Sequence, residues 1–258
     1  MTENPIFIFS ASWRTGSTLL QRVFNSTGNV LIWGEPQHLN QSRKLYTDFN
    51  NYFESAKWQY NAIEKEGINM AWTPILSPKT DYLLPAFKAL YDNLYMQAAK
   101  DMGFVRWGFK EVRIHAFETA LWFKEMYPNA KFIFHYRNPF DMFESVIKTD
   151  FYSSFQDPYF PIRTWKNNIA NVFRNTDSNE IDFFHVKHED LINPDKNDQV
   201  IKSLFEYVAI DYDFEQVKTT LSKKVGGSND KSSLSEEQKD EITTILGNVL
   251  ELAYAESI

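Results

Sequence analysis

"PIFIFSASWRTGSTLLQRVF", residues 5–24, sets a short apolar run against a loop of small residues and then a helical pattern. Residues 5–12 read as a buried strand, rich in Ile and Phe and ended by Ser and Ala. From 17 to 26 the spacing turns helical, with Leu19, Leu20, Val23 and Phe24 on one face. Between them lie Arg14, Thr15, Gly16, Ser17 and Thr18. In such a loop successive backbone N–H groups converge on one point, and the following helix adds partial positive charge there. Gly16 permits close approach of the backbone, Ser17 and Thr18 offer hydroxyls, and Arg14 offers a planar, permanently charged fork. The stretch predicts an anion-holding loop. The plainer alternative is a capped helix start with an exposed arginine.

The Walker pattern G-x-x-x-x-G-K-[ST] would need glycine at 11 and lysine at 17, where this chain has Ala11 and Ser17. No strand ends in an obvious magnesium-binding aspartate at the right place. A β,γ-phosphate held on Mg²⁺ is therefore a poor match, and an anion that needs no metal fits better.

Working outward, the strand–helix alternation repeats. Residues 29–33, 105–112, 130–137 and 181–187 read as further strands; about 115–127, 139–150 and 163–175 read as helices. Two long helical mixtures, 40–66 and 80–102, are separated by Pro74, Ser77 and Pro78. Residues 151–162 form an aromatic loop, and the C-terminal helices are broken at 226–233. This order predicts an α/β fold: a single domain over 1–258, with a central parallel β-sheet flanked by helices and 40–102 as a helical insertion for substrate recognition. Ligands of such sheets bind beyond the C-terminal strand ends. The chemistry is expected just after residues 12, 33, 110, 137 and 187.

Composition narrows the partners. The formal net charge of −7 argues against a broad nucleic-acid-binding face, so any anion site must be local. It also hints at a neutral or cationic acceptor rather than a polyanion. With no cysteine in 258 residues, disulfides, thiolate metal sites and cysteine nucleophiles are excluded. No apolar stretch nears the roughly 20 residues of a membrane helix, and the N-terminus lacks a signal-peptide pattern. A soluble, cytoplasmic protein with no membrane or nucleic-acid partner is expected. Aromatics at 16% are assigned mostly to the core, with part left for a pocket.

"FIFHYRNPFDMFES", residues 132–145, places Arg137 at a strand end and Ser145 two turns into the next helix, where both could reach one anion. Together with the first loop, this segment resembles the nucleotide signature of sulfotransferases that use 3′-phosphoadenosine 5′-phosphosulfate (PAPS). In that family a [KR]-[ST]-G-[ST]-T loop holds the 5′-phosphosulfate; here it reads Arg14-Thr15-Gly16-Ser17-Thr18. An R-N-P-x-D-x-x-x-S segment holds the 3′-phosphate; here Arg137 through Ser145 match it in full. "WGFKEVR", 107–113, resembles the family's third strand, whose lysine, here Lys110, lies near the sulfuryl group. "VKHEDL", 186–191, resembles its Y-E-D-L stretch with His188 in place of tyrosine.

The resemblance implies the P-loop-like sulfotransferase fold and sulfuryl transfer from PAPS, leaving 3′-phosphoadenosine 5′-phosphate (PAP), with no metal. It implies a small-molecule acceptor bearing a hydroxyl or amine. Arg14 and Lys110 would stabilise charge on the bridging oxygen. Val112 replaces the histidine that cytosolic members use as base, which points to the glutamate-using branch and to Glu35 in "WGEPQHLN", with His38 as runner-up. Leu19 stands where cytosolic members have an adenine-stacking tryptophan, and their R-K-G stretch is absent. Lys224, Gly227 and Ser228 are candidate phosphate contacts in its place. Phe151, Tyr152 and Phe155, with Glu35 and His38, are candidates for the acceptor site. His115, His135, His185 and His188 read as structural, not as metal ligands. The rival readings are a P-loop kinase using ATP and a non-catalytic nucleotide-binding module.

Overall fold

Ile6–Ser10 (β1), Val30–Trp33 (β2), Arg106–Glu111 (β3), Lys131–Tyr136 (β4) and Phe183–Lys187 (β5) form one sheet in the order β2-β3-β1-β4-β5. All four pairings are parallel. The coordinates are a computed structural model, which describes residues 4–71, 73–75, 77–113, 115–149, 152–153, 155–175, 180–223 and 234–254. The predicted α/β architecture is the one observed.

β1 lies at the centre and shows why its sequence makes a strand. Side chains alternate across a strand, and both faces of β1 are covered. Ile6 and Ile8 join a hydrophobic cluster with Leu20, Val23 and Phe24, while Phe7 meets Phe109 and Phe123 at ring distances of 4.6 and 4.7 Å on the other side. Each fully buried side chain contributes about 1.5–3 kcal/mol. This aromatic layer absorbs much of the aromatic excess. Gly108, paired with Ile6, is required there because a Cβ would run into the Ile6 carbonyl.

The topology positions the site. The connection from β1 runs to β2 on one side of the sheet; that from β4 runs to β5 on the other. The carboxyl ends of β1 and β4 thus flank the point where the winding reverses, where open α/β sheets bind ligands. Ser17–Asn25 (α1) follows β1. Its Asn25 amide pairs with both the N–H and C=O of Ile32, covering backbone groups of the edge strand β2 just before Glu35.

The chain divides into two compact units, one of residues 37–98 and one of the rest. The smaller is helical: Leu39–Ser55 (α2), Lys57–Glu66 (α3) and Leu83–Tyr91 (α4), followed by a π turn at Asp92–Met96. Tyr46 packs edge-on against Phe87 within it. Gln97–Asp101 (α5), which belongs to the larger unit from Ala99 on, leads to β3, and Ala116–Met126 (α6) and Pro139–Ile147 (α7) follow β3 and β4. Phe160–Arg174 (α8) begins three residues before the helix predicted at 163. Pro161 fits its first turn, where no N–H partner is needed. Asp157 accepts from the Tyr159 N–H and from Arg163 Nε just ahead of it. His188–Ile192 (α9), Asn197–Val208 (α10), Phe214–Ser222 (α11), Glu236–Leu246 (α12) and Val249–Tyr254 (α13) complete the unit.

Candidate active site

The segment after β1 is anchored before it turns. The Ala11 N–H donates to the His135 carbonyl at 2.9 Å, and Asn168 Nδ2 donates to the Ala11 carbonyl at 3.0 Å. Ser12 Oγ donates to the Pro161 carbonyl at 2.8 Å. The chain then passes through two left-handed residues, Arg14 at φ 58° and Gly16 at φ 92°. At Gly16 the conformation suits only glycine, and a Cβ would also strike the His188 ring. The Leu19 N–H donates to the Gly16 carbonyl at 2.9 Å, and no side chain of the described residues caps α1, which puts the Ser17 and Thr18 N–H groups at the loop.

Arg14, Gly16, Ser17, Thr18, Glu35, Lys110, Arg137 and Ser145 line one cavity of about 460 Å³. Arg14 Nε donates to Ser145 Oγ at 3.0 Å, and Arg137 Nη1 reaches the Arg14 carbonyl at 3.4 Å. The loop after β1 and the segment after β4 are thus joined through the very residues singled out by spacing. Asn138 caps α7 by accepting from the Phe140 N–H at 2.9 Å, and its own N–H donates to Glu189 at 2.7 Å. Trp165 Nε1 donates to the Arg137 carbonyl at 2.9 Å.

Lys110 is 4% exposed and its Nζ lies 2.5 Å from Glu35 Oε1. Arg113 Nη2 lies 3.2 Å from Glu35 Oε2. A carboxylate, a lysine and two arginines, Glu35, Lys110, Arg14 and Arg137, therefore line one cavity beside the start of α1. Such a cavity can hold a phosphorylated anion at one end while a carboxylate accepts a proton beside it.

Other candidates lie elsewhere. Thr15 has its side chain fully buried, with Oγ1 3.4 Å from His135 Nδ1. His38 belongs to the helical unit, where its ring stacks on Tyr91 and Tyr95 and its Nε2 lies 3.4 Å from the Tyr95 hydroxyl. Tyr152 packs edge-on against Phe143, and Phe155 against Trp13, which lines the cavity. Phe151, Lys224, Gly227 and Ser228 lie outside the described residues. Their neighbours Ser222 and Lys223 line the cavity. Among the described residues no group of three or more His, Cys, Asp or Glu side chains is placed to hold a metal ion.

His188 also lines the cavity, beside Gly16 and Arg137. Read from sequence as structural, it occupies the end of β5, one of the strand ends where chemistry was expected. Burial and the Arg137 charge push its pKa down to about 4, and its ring meets that of His135 edge-on at 5.5 Å. His135 is held well below 6.5 by burial, then by the charges of His188, Arg137 and Lys110. Arg113, at the end of the third-strand segment, carries no signal of a role in the sequence; only the fold brings it to Glu35.

A parallel five-stranded sheet of this order, with its cavity between the β1 and β4 loops, is the P-loop-like architecture of sulfotransferases. The Sulfotransferase family profile matches residues 5–213, and the chain belongs to that family. Solved structures share the fold. The sulfotransferase domain of the Synechococcus olefin synthase is 17% identical, with 99% of this chain and 95% of that one covered and a TM-score of 0.56. The sulfotransferase from Alicyclobacillus acidocaldarius is 16% identical, with 98% and 95% covered and a TM-score of 0.53. A mouse sulfotransferase complexed with PAP is 11% identical, with 99% and 90% covered and a TM-score of 0.51. No curated protein sequence matches the chain. Family membership implies sulfuryl transfer as the reaction class. Among the described residues no helix is long and apolar enough to cross a membrane.

Proposed function

We propose that the protein transfers the sulfuryl group of PAPS to a hydroxyl or amine of a small, neutral or cationic acceptor, with Glu35 as general base. The observation that carries this reading is the convergence of Arg14, Lys110, Arg137, Ser145 and Glu35 on one cavity. Arg137 and Ser145 hold the 3′-phosphate. The loop N–H groups, Ser17 and Thr18 hold the 5′-phosphosulfate, and Leu19, Ile192 and Leu221 offer apolar surface to the purine. The acceptor oxygen or nitrogen bonds to sulfur as the bond from sulfur to the 5′-phosphate oxygen breaks. Glu35 takes the acceptor proton, while Arg14 and Lys110 stabilise the charge left on that phosphate. PAP and the sulfated acceptor are the products. The mouse relative complexed with PAP supports the choice of nucleotide. We place the reaction in the cytoplasm.

The test pairs PAPS with a panel of small alcohols and amines, read by the mass gain of one sulfuryl group. Turnover is expected to persist in EDTA, because a sulfuryl group needs less charge neutralisation than a γ-phosphate and Ser17 replaces the Walker lysine. Phosphate transfer from ATP that stops in EDTA and returns with Mg²⁺ would overturn the reading. Glu35→Gln keeps the shape but cannot take the proton, and is expected to lower kcat by about 10²–10⁴ with PAP affinity little changed. A near-normal rate in Glu35→Gln beside a collapse in His38→Asn would move the base to His38.

A further inference from the structure

We propose that Arg113 is the positioning residue for Glu35, itself fixed by the buried carboxylate of Glu111. The inference rests on Glu35 being the base. Glu111 lies in β3 at 1% exposure. Its Oε1 accepts from the backbone N–H of Val112 at 2.8 Å and of Arg113 at 2.9 Å. The same oxygen accepts from Arg113 Nε at 3.2 Å. The other end of the guanidinium, Nη2, stands 3.2 Å from Glu35 Oε2 and 3.5 Å from the Glu35 carbonyl. A planar fork thus spans two carboxylates, one locked into the strand and one in the cavity.

The two cations on Glu35 differ in what they can do next. Lys110 holds Oε1 with a compact charge on a flexible stem. The charge that develops in the reaction lies on the oxygen leaving sulfur, and the Lys110 ammonium moving to it releases Oε1. Arg113 cannot follow, because Nε is tied to Glu111. It is also absent from the residues that line the cavity. Glu35 therefore stays anchored through Oε2 while Oε1 turns to the acceptor proton. Arg113 acts through Glu35 and not on the nucleotide.

A double-mutant cycle on kcat tests this, with Glu35→Gln, Arg113→Met and the pair, alongside PAP dissociation constants. Arg113→Met is expected to lower kcat on the order of 10–100-fold, the effect of a slightly misplaced catalytic group, with PAP affinity unchanged. In the Glu35→Gln background the same change is expected to cost nothing further, since the group it positions is gone. Equal loss in both backgrounds, or weakened PAP, would overturn the proposal by showing direct action on ligand. A normal kcat in Glu35→Gln alone would remove the base reading, and this inference with it. Should Arg113→Met fold poorly, Arg113→Lys keeps the charge and loses the fork. An intermediate kcat supports the proposal, and a wild-type rate overturns it.

Discussion

Arg14 adopts a left-handed backbone at φ 58°, a conformation that costs a non-glycine residue about 1–3 kcal/mol. The surroundings hold it there: its carbonyl takes the Arg137 guanidinium and its own Nε reaches Ser145. Strain of this kind persists where the structure over-determines it, and here it aims the loop at the cavity. Arg137 is thereby tied to the loop through Nη1 while it lines the cavity, where its five-donor fork can also take a ligand. In the proposed reaction that ligand is the 3′-phosphate. Arg137→Ala removes a charge-assisted hydrogen bond of about 1.5–3 kcal/mol, or roughly 10–100-fold in affinity. Isothermal titration is expected to show PAP weakened by that factor and adenosine 5′-phosphate, which lacks the 3′-phosphate, hardly at all. Equal weakening of both would place Arg137 elsewhere. Much of this was legible, because Arg14 and Arg137 follow strand ends, Ser145 lies two turns into the helix after one of them, and the winding of the sheet brings those ends together. Arg113 was not legible as a partner of Glu35. The two are distant in sequence, and a charged residue just past a strand end is ordinarily solvated.

At the scale of elements, α7 shows local chemistry and tertiary structure agreeing. Asn138 accepts from the Phe140 N–H, Pro139 occupies the first turn, and the helix carries Ser145 to Arg14. Sequence rules find such a start because the cap is made by neighbours in the chain. They placed α8 too late because its start depends on a reach from Asp157 to Arg163 and on Pro161, which also resembles a loop residue. They read 80–102 as a mixture at helical spacing, which the structure resolves into α4, a π turn and α5. Asn138→Ala is expected to lower stability by about 1 kcal/mol, the usual worth of such a cap. Denaturant unfolding would show a lower midpoint with an unchanged slope. A variant as stable as the parent would mean that the Glu189 contact to the Asn138 N–H alone fixes the start of α7.

For the whole molecule, the buried histidines of the larger unit set how it answers acid. His188 is 8% exposed and fully buried His135 lies edge-on to it. Burial lowers both, with Arg137 opposing a further charge on each and Lys110 on His135; His188 falls to about 4. An unfolded chain has histidines near 6.5. Above that pH neither state carries the proton, and the shift costs nothing. Below it the unfolded chain takes up a proton that folded His188 refuses until about pH 4. Stability is therefore lost as pH falls from about 6.5 toward 4, by on the order of 3 kcal/mol from His188, and His135 adds to it. Carboxylates titrate in part of the same window, so the comparison must isolate the histidine. His188→Gln keeps a polar side chain that does not titrate. Urea midpoints for the parent and this variant at several pH values between 7 and 4 provide the measurement. The variant starts lower at pH 7 if packing against Gly16 is lost, but its decline with acid is expected to be shallower than the parent's. Parallel declines would show that His188 takes up its proton in the folded protein as readily as in the unfolded chain.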